Sequence, residues 1–227
     1  NKQKWNRMEG KKINIDGLEK IKKWVIPFFI IMYSVGIVGH LVEPTRSLMI
    51  MLTPFTLLLC SFVLFYSIHK EIDSQLFSWL ISTYIITFIL EAYGTASGSV
   101  FGSYKYGDVL GWKLFDVPLI IGVNWVIVIL GGLSLSHLIS KNLFISSLIT
   151  GFVALLFDYI LEPLAMKLDY WTWSGNIIPL QNYTAWFIIA FIFAIGFNLK
   201  KIKIKSKIPL YYIIIQSIFF LVLRIFL

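Results

Sequence analysis

Cysteine is nearly absent: Cys60 stands alone among 227 residues. No disulfide can form within the chain and no thiolate cluster can hold a metal, so this residue reads as a small core side chain. Charge is scarce as well, at 14% of residues against 58% hydrophobic, where a soluble domain carries about 25% charged residues. That imbalance excludes an ordinary soluble domain. GxGxxG, the Walker A loop, HExxH and GxSxG are all missing, which leaves nucleotide, zincin and serine hydrolase chemistry without support. Histidines number three, and only His40 falls on the side where the acids collect, so a histidine metal site is not expected. No repeat, low-complexity tract or interdomain linker interrupts the chain.

What the sequence has is long apolar runs, hydrophobic on every side rather than along one stripe, with a mean hydropathy of +0.79. A bilayer core needs about 20 apolar residues per helix and tolerates only helices or closed barrels, and these runs lack a barrel's alternation. The expected fold is all-α, a polytopic transmembrane helical bundle of about seven spans: 24–42, 47–68, 76–92, 117–138, 143–163, 184–199 and 208–227. A short sixth run and Arg224 inside the seventh leave six or eight open. Residues 1–23 read as a basic cytoplasmic tail without the apolar h-region of a signal peptide, and residues 24–227 as a single transmembrane domain. The net charge of +8 sits in that tail and in the late loop KKIKIKSK, beside apolar runs, and is read as a topology signal rather than a nucleic-acid site. An integral protein of the cell membrane, with its N-terminus cytoplasmic, is expected.

With the Lys-rich segments inside, connections 43–46, 93–116 and 164–183 fall on the far side, together with Glu43, Glu91, Asp108, Asp116, Asp158, Glu162, Asp169 and His40. One face thus collects nearly every group able to do acid/base chemistry. Glu91 ends the third span, and Asp158 and Glu162, in FDYILEP, lie four apart on one helical face, about 6 Å along the axis. Acids within a span are costly and by default mark function, so Asp158, Glu91 and Glu162 are the candidate catalytic groups. The structural alternative pairs them with Arg46, Lys113 or Lys167, and Pro163 is expected to put Glu162 at a helix end. Tyr and Trp on this face suit an interfacial belt, yet rings beside buried acids also attract a carbocation. Gly94, Gly98 and Gly102 fit either a helix-packing ridge or a tight loop that brings backbone near a ligand. The chemistry expected is acid/base work without cofactor or metal.

Two blocks carry a resemblance. The first holds Glu91, Gly94, Gly98, Phe101, Gly102, Tyr104, Tyr106, Lys113, Val117 and Pro118, followed by Asn124 and Trp125. The second holds Asp158, Glu162, Pro163, Tyr170, Trp171, Trp173, Pro179, Asn182 and Trp186. With the span pattern they cover most of residues 24–200, and the chain resembles the membrane carotenoid biosynthesis proteins that include bisanhydrobacterioruberin hydratase and the CruF-type hydratases. In two places it departs from that pattern, with Glu162-Pro163 for an Asp-Pro pair and no glycine before Pro179. The resemblance implies hydration of the terminal double bond of an acyclic carotenoid end group, with a lipid-soluble carotenoid as substrate and membrane lipids as surroundings. Tyr104, Tyr106, Asn124, Trp125, Trp171, Trp173, Asn182, Trp186 and His40 would then hold substrate or water. A carotenoid cyclase, a membrane prenyltransferase and a non-enzymatic carotenoid-binding protein remain open from the residues, as do the proton donor, the particular carotenoid and the oligomeric state.

Overall fold

A computed structural model describes residues 23–227, and all of the expected basic tail except Lys23 lies outside the described residues. Among the described residues seven helices are long and apolar enough to cross a membrane. They are α1 (Lys23–Leu41), α2 (Glu43–Ile68), α3 (Ser74–Ser97), α4 (Ile120–Ile139), α5 (Leu143–Lys167), α6 (Leu180–Leu199) and α7 (Ile208–Phe226). The chain is an all-α integral membrane protein. Large apolar side chains such as Phe55, Phe62, Ile89, Phe152 and Ile192 point outward, as a lipid surround allows. α4 is buried nearly all round and forms the centre of the bundle.

Local chemistry sets the helix ends. Asp73 caps α3 by accepting from the Leu76 N–H at 2.8 Å, and Asn142 caps α5 through the N–H groups of Phe144 and Ile145 at 2.9 and 3.1 Å, satisfying donors that have no partner in the first turn. Gly98 closes α3 at φ 70°, the left-handed position that glycine adopts without a Cβ penalty. The helices pack closely where side chains are missing. A Cβ on Gly131 would lie 2.6 Å from Ile213, one on Gly132 3.0 Å from Thr150, and one on Gly151 2.9 Å from Phe187. These three glycines join α4 to α7, α4 to α5 and α5 to α6. The run at Gly94, Gly98 and Gly102 serves a tight loop instead, for Phe101 folds back so far that a Cβ on Gly94 would meet its ring at 2.8 Å.

Short strands tie the loops of one end together. β1 (Tyr104–Tyr106) lies in the α3–α4 connection, followed by β2 (Lys113–Leu114) and β3 (Val117–Pro118), while β4 (Trp171–Trp173) lies in the α5–α6 connection. β1 pairs antiparallel with β4. β2 and β3 form a hairpin turned by Phe115 and Asp116, both at positive φ, the geometry of a two-residue primed turn. At the opposite end Glu71 accepts from the backbone N–H groups of Lys205 and Ser206 at 2.7 and 2.9 Å.

Among the boundaries that differ from expectation, two bear on the acids. α3 runs to Ser97, so Glu91 sits more than a turn inside it, and α5 continues through Pro163 to Lys167. Proline normally breaks a helix by leaving the carbonyl four residues earlier unpaired. Here that carbonyl belongs to Tyr159, and Arg224 Nη1 of α7 donates to it at 2.6 Å, with the guanidinium 4.8 Å from the Tyr159 ring centroid. The one charge inside α7 therefore completes the backbone of α5. Arg224→Ala is expected to lower stability by about 1–3 kcal/mol, the cost of an unsatisfied carbonyl, read as a lower thermal midpoint in detergent; an unchanged midpoint would show that the carbonyl finds another donor.

Candidate active site

Glu91 comes from α3, Asp158 and Glu162 from successive turns of α5, and Asn182 from the first turn of α6. All four are buried, and all line one small cavity. Strand periodicity supplies its roof. Residues two apart on a strand share a face, so Tyr104 and Tyr106 point inward from β1 and Trp171 and Trp173 from β4, while Lys105 and Thr172 between them are exposed. The register sets Tyr104 opposite Trp173 and Tyr106 opposite Trp171, placing four aromatic side chains over the carboxyls. Gly102, at φ 111°, allows the approach, since a Cβ there would lie 2.6 Å from Pro179.

The carboxyls are served by neutral donors. Glu91 accepts from the Tyr104 hydroxyl, from the Tyr106 hydroxyl at 2.9 Å and from Trp125 Nε1 at 2.8 Å. Glu162 accepts from Trp171 Nε1 at 2.9 Å and Trp173 Nε1 at 2.7 Å, both on Oε2. Asn182 Nδ2 bridges the two acids of α5, donating to Asp158 Oδ2 at 2.6 Å and to Glu162 Oε1 at 2.9 Å. Asp158 Oδ1, fully buried, has no partner. Burial, and then the charge of Glu91, push the Tyr104 and Tyr106 phenols above their ordinary range, so both remain proton donors.

Among the described residues no lysine or arginine lines the cavity. The ion pair found among the described residues, Lys113 with Asp108 at 2.7 Å, is at the surface, where the ammonium holds the Asp108 carboxyl below its usual value. Arg46 donates instead to the His40 carbonyl at 2.8 Å. Three buried carboxyls around one cavity, with no cation among its described lining residues, would repel one another if all were ionised. The cavity measures about 20 Å³, room for about one water molecule. Trp186 stacks on Trp125 with centroids 3.7 Å apart.

Of the residues singled out from sequence, Asp158, Glu91, Glu162, Tyr104, Tyr106, Asn124, Trp171, Trp173, Asn182 and Trp186 line this cavity, and Trp125 stands behind them, donating to Glu91 and stacking on Trp186. His40 does not. It lies between α1, α2 and α7 in a different cavity, because sharing a height along the membrane normal says nothing about position in the membrane plane. Glu162 is within α5 rather than at its end. Phe101 and Ile121 also line the site; the block containing Phe101 was noted, whereas Ile121 is indistinguishable from its apolar neighbours.

The model of a family described as carotenoid biosynthesis protein matches residues 49–227. The chain belongs to this family. The match takes in all three carboxyls and every strand of the roof and leaves out α1 with His40. No curated protein and no solved structure matches the chain. Membership places the chain in carotenoid biosynthesis. Asn182→Leu is expected to strip donors from two buried carboxyl oxygens and lower stability by about 2–4 kcal/mol, with Asn182→Gln retaining part of it. Thermal unfolding in detergent would check the order, and equal midpoints for Leu and wild type would contradict the bridging role.

Proposed function

We propose that this family member is a carotenoid hydratase, adding water across the terminal double bond of an acyclic end group by acid-initiated carbocation chemistry. The observation that carries the reading is the unpartnered Asp158 Oδ1 beside a cavity of about one water. Glu91 and Glu162 each accept three hydrogen bonds, a donor set that suits a carboxylate. Asp158 accepts one and has an oxygen left for a transferable proton, which selects it as the general acid.

In this scheme protonated Asp158 delivers its proton to the less substituted alkene carbon, and the π electrons leave a tertiary cation on the dimethyl carbon. The faces of Trp173, Tyr104 and Trp186 and the carboxylates of Glu91 and Glu162 stabilise that charge. A water held in the cavity by Glu162 and Asn124 forms the new C–O bond, and its surplus proton passes to a carboxylate and returns to Asp158. Net, one water is consumed and one tertiary alcohol forms, with no oxidant or cofactor required. A membrane prenyltransferase is suggested by the Asp158 to Glu162 spacing, but the sequence holds no second acid-rich motif to go with it. The Lys and Arg distribution supports an N-terminus in the cytoplasm and this end of the bundle on the opposite side of the cell membrane.

The test is expression in a bacterial host that makes lycopene and its singly cyclised derivative, with pigments read by chromatography and mass spectrometry. A product heavier by one water is expected from the wild type, abolished in Asp158→Asn and Glu91→Gln while both variants still insert into membrane. An isomer of unchanged mass would make the protein a cyclase, and bound but unaltered pigment would make it a carotenoid-binding protein.

A further inference from the structure

Outside the acid cluster a cavity of about 150 Å³ lies between α1, α2 and α7, bordered by Tyr33, His40, Thr53, Tyr170 and Phe219. A cavity of this size accepts a benzene ring, hence five or six carbons, the bulk of one isoprene unit. Its wall is apolar apart from a few groups. His40 is 4% exposed. Its Nδ1 lies 2.7 Å from the Gly36 carbonyl of its own helix and must donate to it, which fixes Nε2 as an acceptor. That Nε2 is buried without a partner. The Thr53 and Tyr170 hydroxyls, 3.4 Å apart, border the same space. Such a pocket lacks one thing, a hydrogen-bond donor carried on an apolar body.

The cavity is also connected. A smaller space of about 40 Å³ shares Leu57, Tyr170 and Phe220 with it, and shares Ile121, Asn124 and Trp171 with the acid pocket. Gln216 Oε1, a second buried acceptor without a partner, borders this middle space. On the outer side Val35 and Met49 line both the His40 cavity and an open groove between α1 and α2, where Val35, Val38 and Val42 are exposed. Gly39 brings the two helices together there, since a Cβ would lie 2.5 Å from Met49, and methionine is a side chain that repacks readily. The four spaces follow one another from the carboxyls toward the lipid, each sharing wall residues with the next.

We propose that the His40 cavity is a second, non-catalytic binding site, which receives a hydroxyl-bearing terminal isoprene unit on its way between the acid pocket and the bilayer, with His40 Nε2 accepting from the hydroxyl. The identity of the alcohol as a reaction product rests on the hydratase reading; the site itself rests on the cavity and its orphaned acceptors.

The experiment is photolabelling of the full chain in lipid nanodiscs with a C10 isoprenoid bearing a terminal 2-hydroxy-2-methyl group and a diazirine near the carbinol, against the same probe without the hydroxyl, followed by peptide mapping. The alcohol is expected to label α1, α2 and α7 around His40. His40→Phe, which keeps a ring but no acceptor, should reduce that labelling about fivefold, as loss of one hydrogen bond implies. His40→Gln should retain most of it, and hydrocarbon labelling should be the same in all. Asp158→Asn should label as wild type, so a protein without hydratase activity that still labels at His40 supports the site and sinks only the proposed reaction. Equal alcohol labelling in wild type and His40→Phe, or labelling confined to the acid pocket, would overturn the proposal.

Discussion

Three carboxyl groups buried in one end of an apolar bundle, with no cation beside them among the described residues, impose the condition that shapes the surrounding chain. Each unsatisfied oxygen in such a place costs kilocalories, and an ionised group without a partner costs more. The fold meets this condition with neutral donors drawn from four elements: phenols from β1, indoles from α4 and β4, and an amide from α6 bridging the two acids of α5. The β1–β4 pairing is therefore part of the site, because its register brings four aromatic side chains with their donors onto the carboxyls. Gly98 and Gly102 turn the chain back tightly enough for that pairing to form.

The same donors create an asymmetry that simple burial would not. Two carboxyls are saturated with hydrogen bonds and the third keeps an oxygen free beside a water-sized space. A group of acids whose members differ only in their partners can divide the labour of a proton transfer, one giving while the others balance charge. Aromatic walls keep bulk water out and present π faces to a positive centre. Membership of the carotenoid biosynthesis protein family places the chain in that biosynthesis; the arrangement of the acids supplies a reason why water, rather than a redox partner, is the reagent proposed.

The spans were legible because hydropathy in a membrane protein is a nearly direct record of what faces lipid, and the acids stood out because such groups are costly there. Asp158 and Glu162 were readable as neighbours from helical spacing alone. The pairing of YKY with WTW was not, although each triplet shows the period-two alternation of a strand; only the fold joins segments so distant in sequence. Pro163 misled because its usual effect assumes that the freed carbonyl finds no donor, and Arg224, on another helix, provides one. The position of His40 apart from the acids was not legible, because a topology rule assigns a residue to a face of the membrane and leaves its place around the bundle undetermined.

The central claim is that a buried acid protonates a carbon–carbon double bond and water completes the addition. Turnover in heavy water enriched with oxygen-18 measures this directly. The account predicts a product with one carbon-bound deuterium on the carbon next to the new carbinol and oxygen-18 in its hydroxyl. A hydroxyl oxygen drawn from dioxygen, or a product without carbon-bound deuterium, would contradict it.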